Sequence, residues 1–195
     1  NPVNLMGASK LAMEYLLFSE KTELKISTAR FANVAFSDGS LLHGFLQRLS
    51  KMQPLSAPKD IKRYFLSHEE AGQLTMLSAI LGKDQEIYFP KLDEIKDSTS
   101  FSDIAVKLLR QHGYDPYFCK TEQEAREYVI NYETKSWPCY FFNSSTTGEK
   151  KIEEFVSEND QLLTTNFRDV GVIKGNVAAK RFKSEQFLAE LNNLL

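Results

Sequence analysis

The chain has 195 residues, with 24 lysines and arginines against 26 aspartates and glutamates, a formal net charge of -2, 42% hydrophobic and 26% charged residues. These values fit a soluble globular chain long enough to bury a core, as one large domain or one and a half small ones, and they exclude a general attraction to nucleic acid or to an anionic membrane. No apolar run approaches the roughly 20 residues that span a bilayer, no signal peptide is visible, and Cys119 and Cys139 lack metal-knuckle or redox-pair spacing, so they read as buried, inert thiols of a reducing cytoplasm.

Leu5, Leu11, Ala12, Tyr15, Leu16 and Phe18 recur at helical spacing and predict a helix over 5–20. Residues 24–31 read as a strand, 33–39 as a loop of small and polar residues, and 40–52 as a second helix with Leu41, Leu42, Phe45, Leu46 and Leu49 on one side. Pro54 and Pro58 break the stretch after that helix. A short strand is predicted over 63–66. Ser67 and Glu70, at capping-box spacing, then open a helix carrying Ala71, Leu74, Leu77, Ile80 and Leu81 and stopped by Gly82. Residues 86–89 are strand-like. Ser100 and Asp103 form a further cap before Ile104, Ala105, Leu108 and Leu109, with Gly113 as the stop. Thr121 and Glu124 cap a short helix reaching 130, and 138–142 reads as a buried strand. A last amphipathic helix uses Phe187, Leu188, Leu191, Leu194 and Leu195. Residues 133–136 and 158–176 read as loop-rich.

This alternation of helices and strands argues for an α/β fold. Gly171 to Gly175 has neither the spacing nor the preceding strand of a phosphate loop, so the chain itself carries no dinucleotide fingerprint. His43, His68 and His112 are too scattered for a metal site, and no Gly-x-Ser-x-Gly elbow supports a serine hydrolase. Two basic clusters, Lys59, Lys62 and Arg63 and then Lys180, Arg181 and Lys183, read first as solvated faces.

Asn1-Pro2-Val3-Asn4-Leu5-Met6-Gly7-Ala8-Ser9-Lys10 resembles the active-site helix of the polysaccharide-biosynthesis nucleotide-sugar 4,6-dehydratases, which are extended short-chain dehydrogenases/reductases like the UDP-N-acetylglucosamine 4,6-dehydratases. Most short-chain dehydrogenases place a Tyr four residues before the Lys, so that both share one helical face. Lys10 matches the Lys, and Met6 stands at the Tyr position. Methionine has no titratable proton. One branch of the family is similar in having Met there, and it draws acid and base from an Asp-Lys pair just before the Asn-Pro. The resemblance thus implies a C-terminal piece of a longer gene product, inactive by itself.

Further matches come in chain order. Ser27-Thr28-Ala29-Arg30-Phe31-Ala32-Asn33-Val34 resembles the family's strand ending in an Arg-Phe-Gly-Asn-Val motif, and Ser37-Asp38-Gly39-Ser40 its loop before a helix. Lys62-Arg63-Tyr64-Phe65 resembles the strand whose Arg faces the substrate diphosphate. Thr146-Thr147-Gly148-Glu149-Lys150-Lys151-Ile152-Glu153-Glu154 resembles the family's Arg-Pro-Gly-Glu-Lys segment, with Thr146 in place of the Arg. That change removes a cation near the nucleotide and leaves both uridine and guanosine diphosphate sugars open.

The resemblance implies the C-terminal part of an extended Rossmann-type, NAD(P)-binding fold plus a small α/β substrate-binding region. Residues 1–40 would end the cofactor domain and 41–195 would form mainly the substrate region, with 67–90 returning to the Rossmann domain. It implies NAD or NADP as cofactor, a nucleotide-sugar substrate, a homodimer or higher oligomer, no membrane contact from this segment and a cytoplasmic location. Lys10 is expected to serve catalysis and, with Phe31, cofactor binding. Asn33, Arg63 and Glu149 are expected at the substrate. A nucleotide-sugar epimerase and a non-catalytic nucleotide-sugar binding module are the rival readings, the second resting on Met6.

Overall fold

The computed structural model describes residues 4–19, 23–130, 133–146, 153–157, 160–175 and 184–194. In chain order the elements are α1 (Leu5–Ser19), β1 (Ser27–Ala29), β2 (Asn33–Val34), α2 (Leu41–Ser50), β3 (Leu55–Pro58), β4 (Lys62–Leu66), α3 (His68–Leu81), β5 (Glu86–Pro90), α4 (Glu94–Asp97), β6 (Ser98–Ser100), α5 (Phe101–Gln111), β7 (Asp115–Phe118), α6 (Glu122–Glu127), β8 (Ser136–Phe142), β9 (Gln161–Leu163), β10 (Val170–Lys174) and α7 (Ser184–Leu194).

The first sheet has the order β1-β5-β10-β9, with β1 parallel to β5 and the other pairs antiparallel. Every residue of β5 is buried, which is the signature of a strand covered on both faces. Side chains alternate along it. Ile87 and Phe89 pack with Ile173 and with Phe18 of α1, while Tyr88 packs with Val172 and with Leu74 of α3. Helix α3 starts as its sequence demands: the Ser67 hydroxyl accepts from the Glu70 amide at 3.1 Å, and the Glu70 carboxylate accepts from the Ser67 amide at 2.7 Å.

The third sheet, β3-β8-β7, is wholly parallel. Leu55, Ala57, Trp137 and Cys139 of this sheet form one core with Leu42 and Phe45 of α2 and Ala105, Leu108 and Leu109 of α5. The Trp137 indole donates to the Gln53 carbonyl at 3.0 Å. Both cysteines are free and buried, and burial pushes the Cys139 thiol up to about 12. The sheet β2-β4-β6 joins the lobe of the first sheet, through Tyr64 and Phe89 under the Phe155 ring, to the small lobe built on β3-β8-β7, through Phe65. Here β2 runs parallel to β4, through Asn33 opposite Phe65 and Val34 opposite Leu66.

Five sequence expectations need correction. Residues 158–176 are not loop-rich, since β9 and β10 lie there. The run Val170-Gly171-Val172-Ile173 is too short to show a period, and its glycine lowers strand propensity. The sheet needs that glycine, because a Cβ at Gly171 would sit 2.2 Å from the Phe89 ring. Asn33 and Val34, read as loop, form a strand because Phe65 and Leu66 offer them a parallel partner. Pro54 and Pro58 do not interrupt the sheet: β3 fits between them, with Pro58 at its last position. The helix expected to reach 130 ends at Glu127, where Tyr128 turns to extended backbone. The strand expected over 24–31 is likewise confined to Ser27–Ala29.

Gly171→Ala should destabilise the fold by about 1–3 kcal/mol through overpacking against Phe89, read as a lower urea midpoint with unchanged slope.

Candidate functional site

The carboxyl end of β1 leads into Arg30, Phe31, Ala32 and Asn33, and ligands in α/β folds gather at such strand ends. Arg30 organises the region. Its Nε and Nη2 donate to the two oxygens of Glu14 on α1, at 3.0 and 2.6 Å. Its Nη1 donates to Asp160 at 2.7 Å and to the Phe155 carbonyl at 2.8 Å. Asp160 is almost wholly buried and also accepts from the Ser157 amide at 2.8 Å. Burial works against its charge, but the Arg30 and Ser157 hydrogen bonds prevail and hold it below the ordinary carboxylate value. Burial likewise opposes the guanidinium, and the two carboxylates outweigh it, so Arg30 stays charged.

The same anchor brings the 153–157 segment across β2 and β4. Phe155 packs on Tyr64 and Phe89, with ring centroids 5.7 and 6.5 Å apart. Glu153 then meets the cluster. Its Oε1 accepts from Asn33 Nδ2 at 3.1 Å and lies 3.9 Å from Arg63 Nε, while Asn33 Nδ2 also points at the Tyr64 carbonyl at 3.4 Å. Glu153 Oε2 is buried without a hydrogen-bond partner among the described residues. Burial pushes this carboxyl up, opposed by Arg63, by the Asn33 amide and by Lys10. Lys10 is exposed on α1, and its charge is the smallest of these opposing influences.

Of the residues nominated from sequence, the structure brings Asn33 and Arg63 to Glu153, and Lys10 acts there only as the weakest of the opposing charges. Met6 lies one turn before Lys10, 65% exposed, and Phe31 is 44% exposed just past β1. Glu149 lies outside the described residues, as do Lys150 and Thr147; Thr146 is exposed. Glu153 belongs to the Thr146–Glu154 motif, where nothing in the local sequence singles it out. Its signal is three-dimensional, since Asn33 lies 120 residues away. A cavity of about 400 Å³ in the small lobe, lined by Arg48, Gln53, Pro54, Glu122, Arg126 and Tyr140 among others, contains none of these residues. Its arginines are engaged: Arg126 pairs with Glu122, and Arg48 donates to the Pro54 carbonyl. The cluster at the strand ends is the better candidate on chemistry. Among the described residues no group of three or more His, Cys, Asp or Glu is placed to hold a metal, and no helix is long and apolar enough to cross a membrane.

A family profile described as "Polysaccharide biosynthesis protein" matches residues 1–175. The chain belongs to the polysaccharide biosynthesis protein family. It is 28% identical over 163 residues to the probable polysaccharide biosynthesis protein EpsC of Bacillus subtilis, and 27% identical over 164 residues to the capsular polysaccharide biosynthesis protein CapD of Staphylococcus aureus. Each match covers 82% of this chain and 24% of the relative, so the chain spans about a quarter of their length. An uncharacterized membrane protein of Methanocaldococcus jannaschii is 32% identical over 122 residues, 60% of this chain and 37% of that protein. Among solved structures, Pen from Bacillus thuringiensis superposes with a TM-score of 0.66 at 20% identity, over 99% of this chain and 58% of that one. The likeness is one of fold, and it fits a Rossmann-like architecture, so the α/β class read from the sequence holds.

Two carboxylates of one segment should answer pH in opposite directions. Asp160 sits below its ordinary value of 3.8, so its contribution is complete at neutral pH and is lost as pH falls through the folded value. Arg30→Met should cost about 3 kcal/mol at neutral pH, since it strands two carboxylates, and less in acid; urea unfolding at both pH values measures this. Glu153 sits above its ordinary value of 4.5, so its penalty is absent below that value and grows as pH rises through the folded one. Glu153→Gln should therefore raise the urea midpoint at neutral pH and leave it unchanged in acid.

Proposed function

We propose that this chain is the substrate-binding and active-site-helix portion of a nucleotide-sugar 4,6-dehydratase, a lyase that turns UDP- or GDP-N-acetylglucosamine into a 4-keto-6-deoxy sugar nucleotide for surface polysaccharide or glycan synthesis. The observation that carries this reading is the convergence of Asn33 and Arg63, 30 residues apart in sequence, on one carboxylate at the strand ends. The family match and the relatives' roles in polysaccharide biosynthesis support it.

In this reading the whole protein is a cytoplasmic homodimer or higher oligomer, and residues 1–40 and 67–90 belong to its cofactor domain. The cofactor is NAD or NADP, which when bound supplies hydride exchange with the sugar, taken from C4 and returned at C6. The donor set fits that group in part. An exposed ammonium at Lys10 suits a ribose hydroxyl, and the exposed Phe31 ring offers an aromatic surface, but the chain has no glycine-rich phosphate cradle. Asn33, both donor and acceptor, orients a sugar hydroxyl. Arg63 binds the diphosphate through fixed, paired donors. Glu149 serves the nucleotide side. Met6 moves no proton, so removal of the C5 proton and departure of the C6 hydroxyl as water fall to the Asp-Lys pair that the family places before the Asn-Pro.

One observation favours a second reading. Met6 leaves the position one turn before Lys10 without a titratable proton, which suits a non-catalytic nucleotide-sugar binding module.

The test uses the whole protein with UDP- and with GDP-N-acetylglucosamine, followed by product mass. Loss of one water from either is expected. Unchanged mass with a changed sugar configuration would make it an epimerase, and binding without any product would make it the binding module. Arg63→Ala should raise KM roughly tenfold or more with kcat little changed, as loss of an interaction made equally in ground and transition states.

A further inference from the structure

Glu153 is not held in place by its carboxylate. The segment that carries it is fixed by the Phe155 ring on Tyr64 and Phe89 and by the Arg30 hydrogen bond to the Phe155 carbonyl. This backbone anchor delivers the carboxylate onto donors of another strand pair. Only half of it is satisfied there: Oε1 takes the Asn33 amide and the Arg63 charge, while Oε2 is buried and unpartnered among the described residues. An unmet buried acceptor is a net cost, and Glu153 has no close ion pair among the described residues to offset it. The neighbouring Asp160 also leaves one oxygen buried without a partner among the described residues, but its other oxygen takes both Arg30, at 2.7 Å, and the Ser157 amide, whereas the guanidinium facing Glu153 stands 3.9 Å away.

We propose that Glu153 is a tethered counter-anion on the Asn33–Arg63 seat, and that by competing for those donors it makes the seat select diphosphates over singly charged anions. The proposal rests on the reading of this cluster as a nucleotide-sugar site. The reasoning is one of charge and effective concentration. A tethered carboxylate presents itself to Arg63 at a local concentration in the millimolar range or above. A free ligand with a single charge gains no more from Arg63 than Glu153 already does. A diphosphate brings more charge and several acceptor oxygens, and it can engage Arg63, Asn33 and Lys10 together. Glu153 thereby excludes small anions without any steric barrier, through a repulsive group placed against the wrong ligand.

Calorimetric titration of the whole protein with pyrophosphate and with inorganic phosphate at neutral pH tests this, using the unaltered protein, Glu153→Gln, Glu153→Ala and Arg63→Ala, each checked for its melting transition. The unaltered protein should bind pyrophosphate in clear preference to phosphate. Both Glu153 variants should bind phosphate roughly tenfold more tightly and pyrophosphate by a smaller factor, narrowing the preference, as expected for removal of one like charge at close range. Arg63→Ala should lose pyrophosphate binding. If Arg63→Ala loses binding while the Glu153 variants bind no better than the unaltered protein, the counter-anion is overturned and the site reading stands. Tightening by Glu153→Gln without tightening by Glu153→Ala overturns it too, since the gain then belongs to the new amide. Absence of pyrophosphate binding in the unaltered protein and in both Glu153 variants overturns the site reading, and this proposal with it.

Discussion

The geometry of the cluster depends on one guanidinium. Arg30 binds a carboxylate 16 residues before it, on α1, and another 130 residues after it. Two anions on one cation would be a poor arrangement in a dry interior. Here it is tolerable because Arg30 and Glu14 keep some exposure while Asp160 is compensated by a backbone amide as well. The bidentate bond to Glu14 does more than join segments. Met6, Lys10 and Glu14 are spaced by four residues, so they form one row along α1. Fixing Glu14 against Arg30 therefore sets the rotation of the helix about its axis, and with it the face on which Lys10 lies. On the other side the same guanidinium holds the Phe155 carbonyl, two residues from Glu153. One planar group thus sets the position of both the cation and the anion of the site.

Glu153 and Asp160 divide the return segment into a structural and a chemical half. Asp160 has enough donors to stay ionised despite burial, and its charge is spent on holding the chain together. Glu153 has too few, and burial pushes it the other way. The difference comes from what faces each carboxylate, a guanidinium at 2.7 Å in one case and at 3.9 Å in the other. Charge-assisted hydrogen bonds fall off steeply over that interval. A carboxylate whose guanidinium stands 3.9 Å off is where a ligand can change the electrostatic balance.

Much of the fold was legible because its signals are local. The caps at Ser67, Ser100 and Thr121 and the stop at Gly82 depend on a few consecutive residues, and each stands where its spacing put it. The strands β2, β3, β9 and β10 were not legible, because what makes them strands is a partner elsewhere. Val34 needs Leu66, Leu55 needs Cys139, and Gly171 needs the Phe89 ring opposite it. The site divides in the same way. Lys10, Asn33 and Arg63 were nominated one by one from motif resemblance, and nothing in their spacing says that they meet. The residue on which Asn33 and Arg63 meet, Glu153, sits in a stretch of charged residues that reads by itself as a helix start. Sequence could supply the donors, and only the tertiary structure supplies the acceptor.

Strand β4 explains why the cluster lies at the joint between lobes. Along it, Phe65 packs toward the small-lobe core, while Tyr64 and Leu66 pack with Ala32, Leu92 and Phe155 on the side of the first sheet. Arg63 shares the parity of Phe65, and Glu153 reaches it from the segment lying on Tyr64. The register of β4 is pinned from both edges, by Asn33 opposite Phe65 on one side and by Arg63 opposite Thr99 on the other. A slip of one residue would exchange the two faces, turning the guanidinium into apolar packing and taking Tyr64 and Leu66 out of theirs. The apolar packing of both lobes therefore fixes the direction of Arg63 far more firmly than its own ion pair can. The polar site is held in place by hydrophobic constraints, which leaves its charges free to be matched to a ligand.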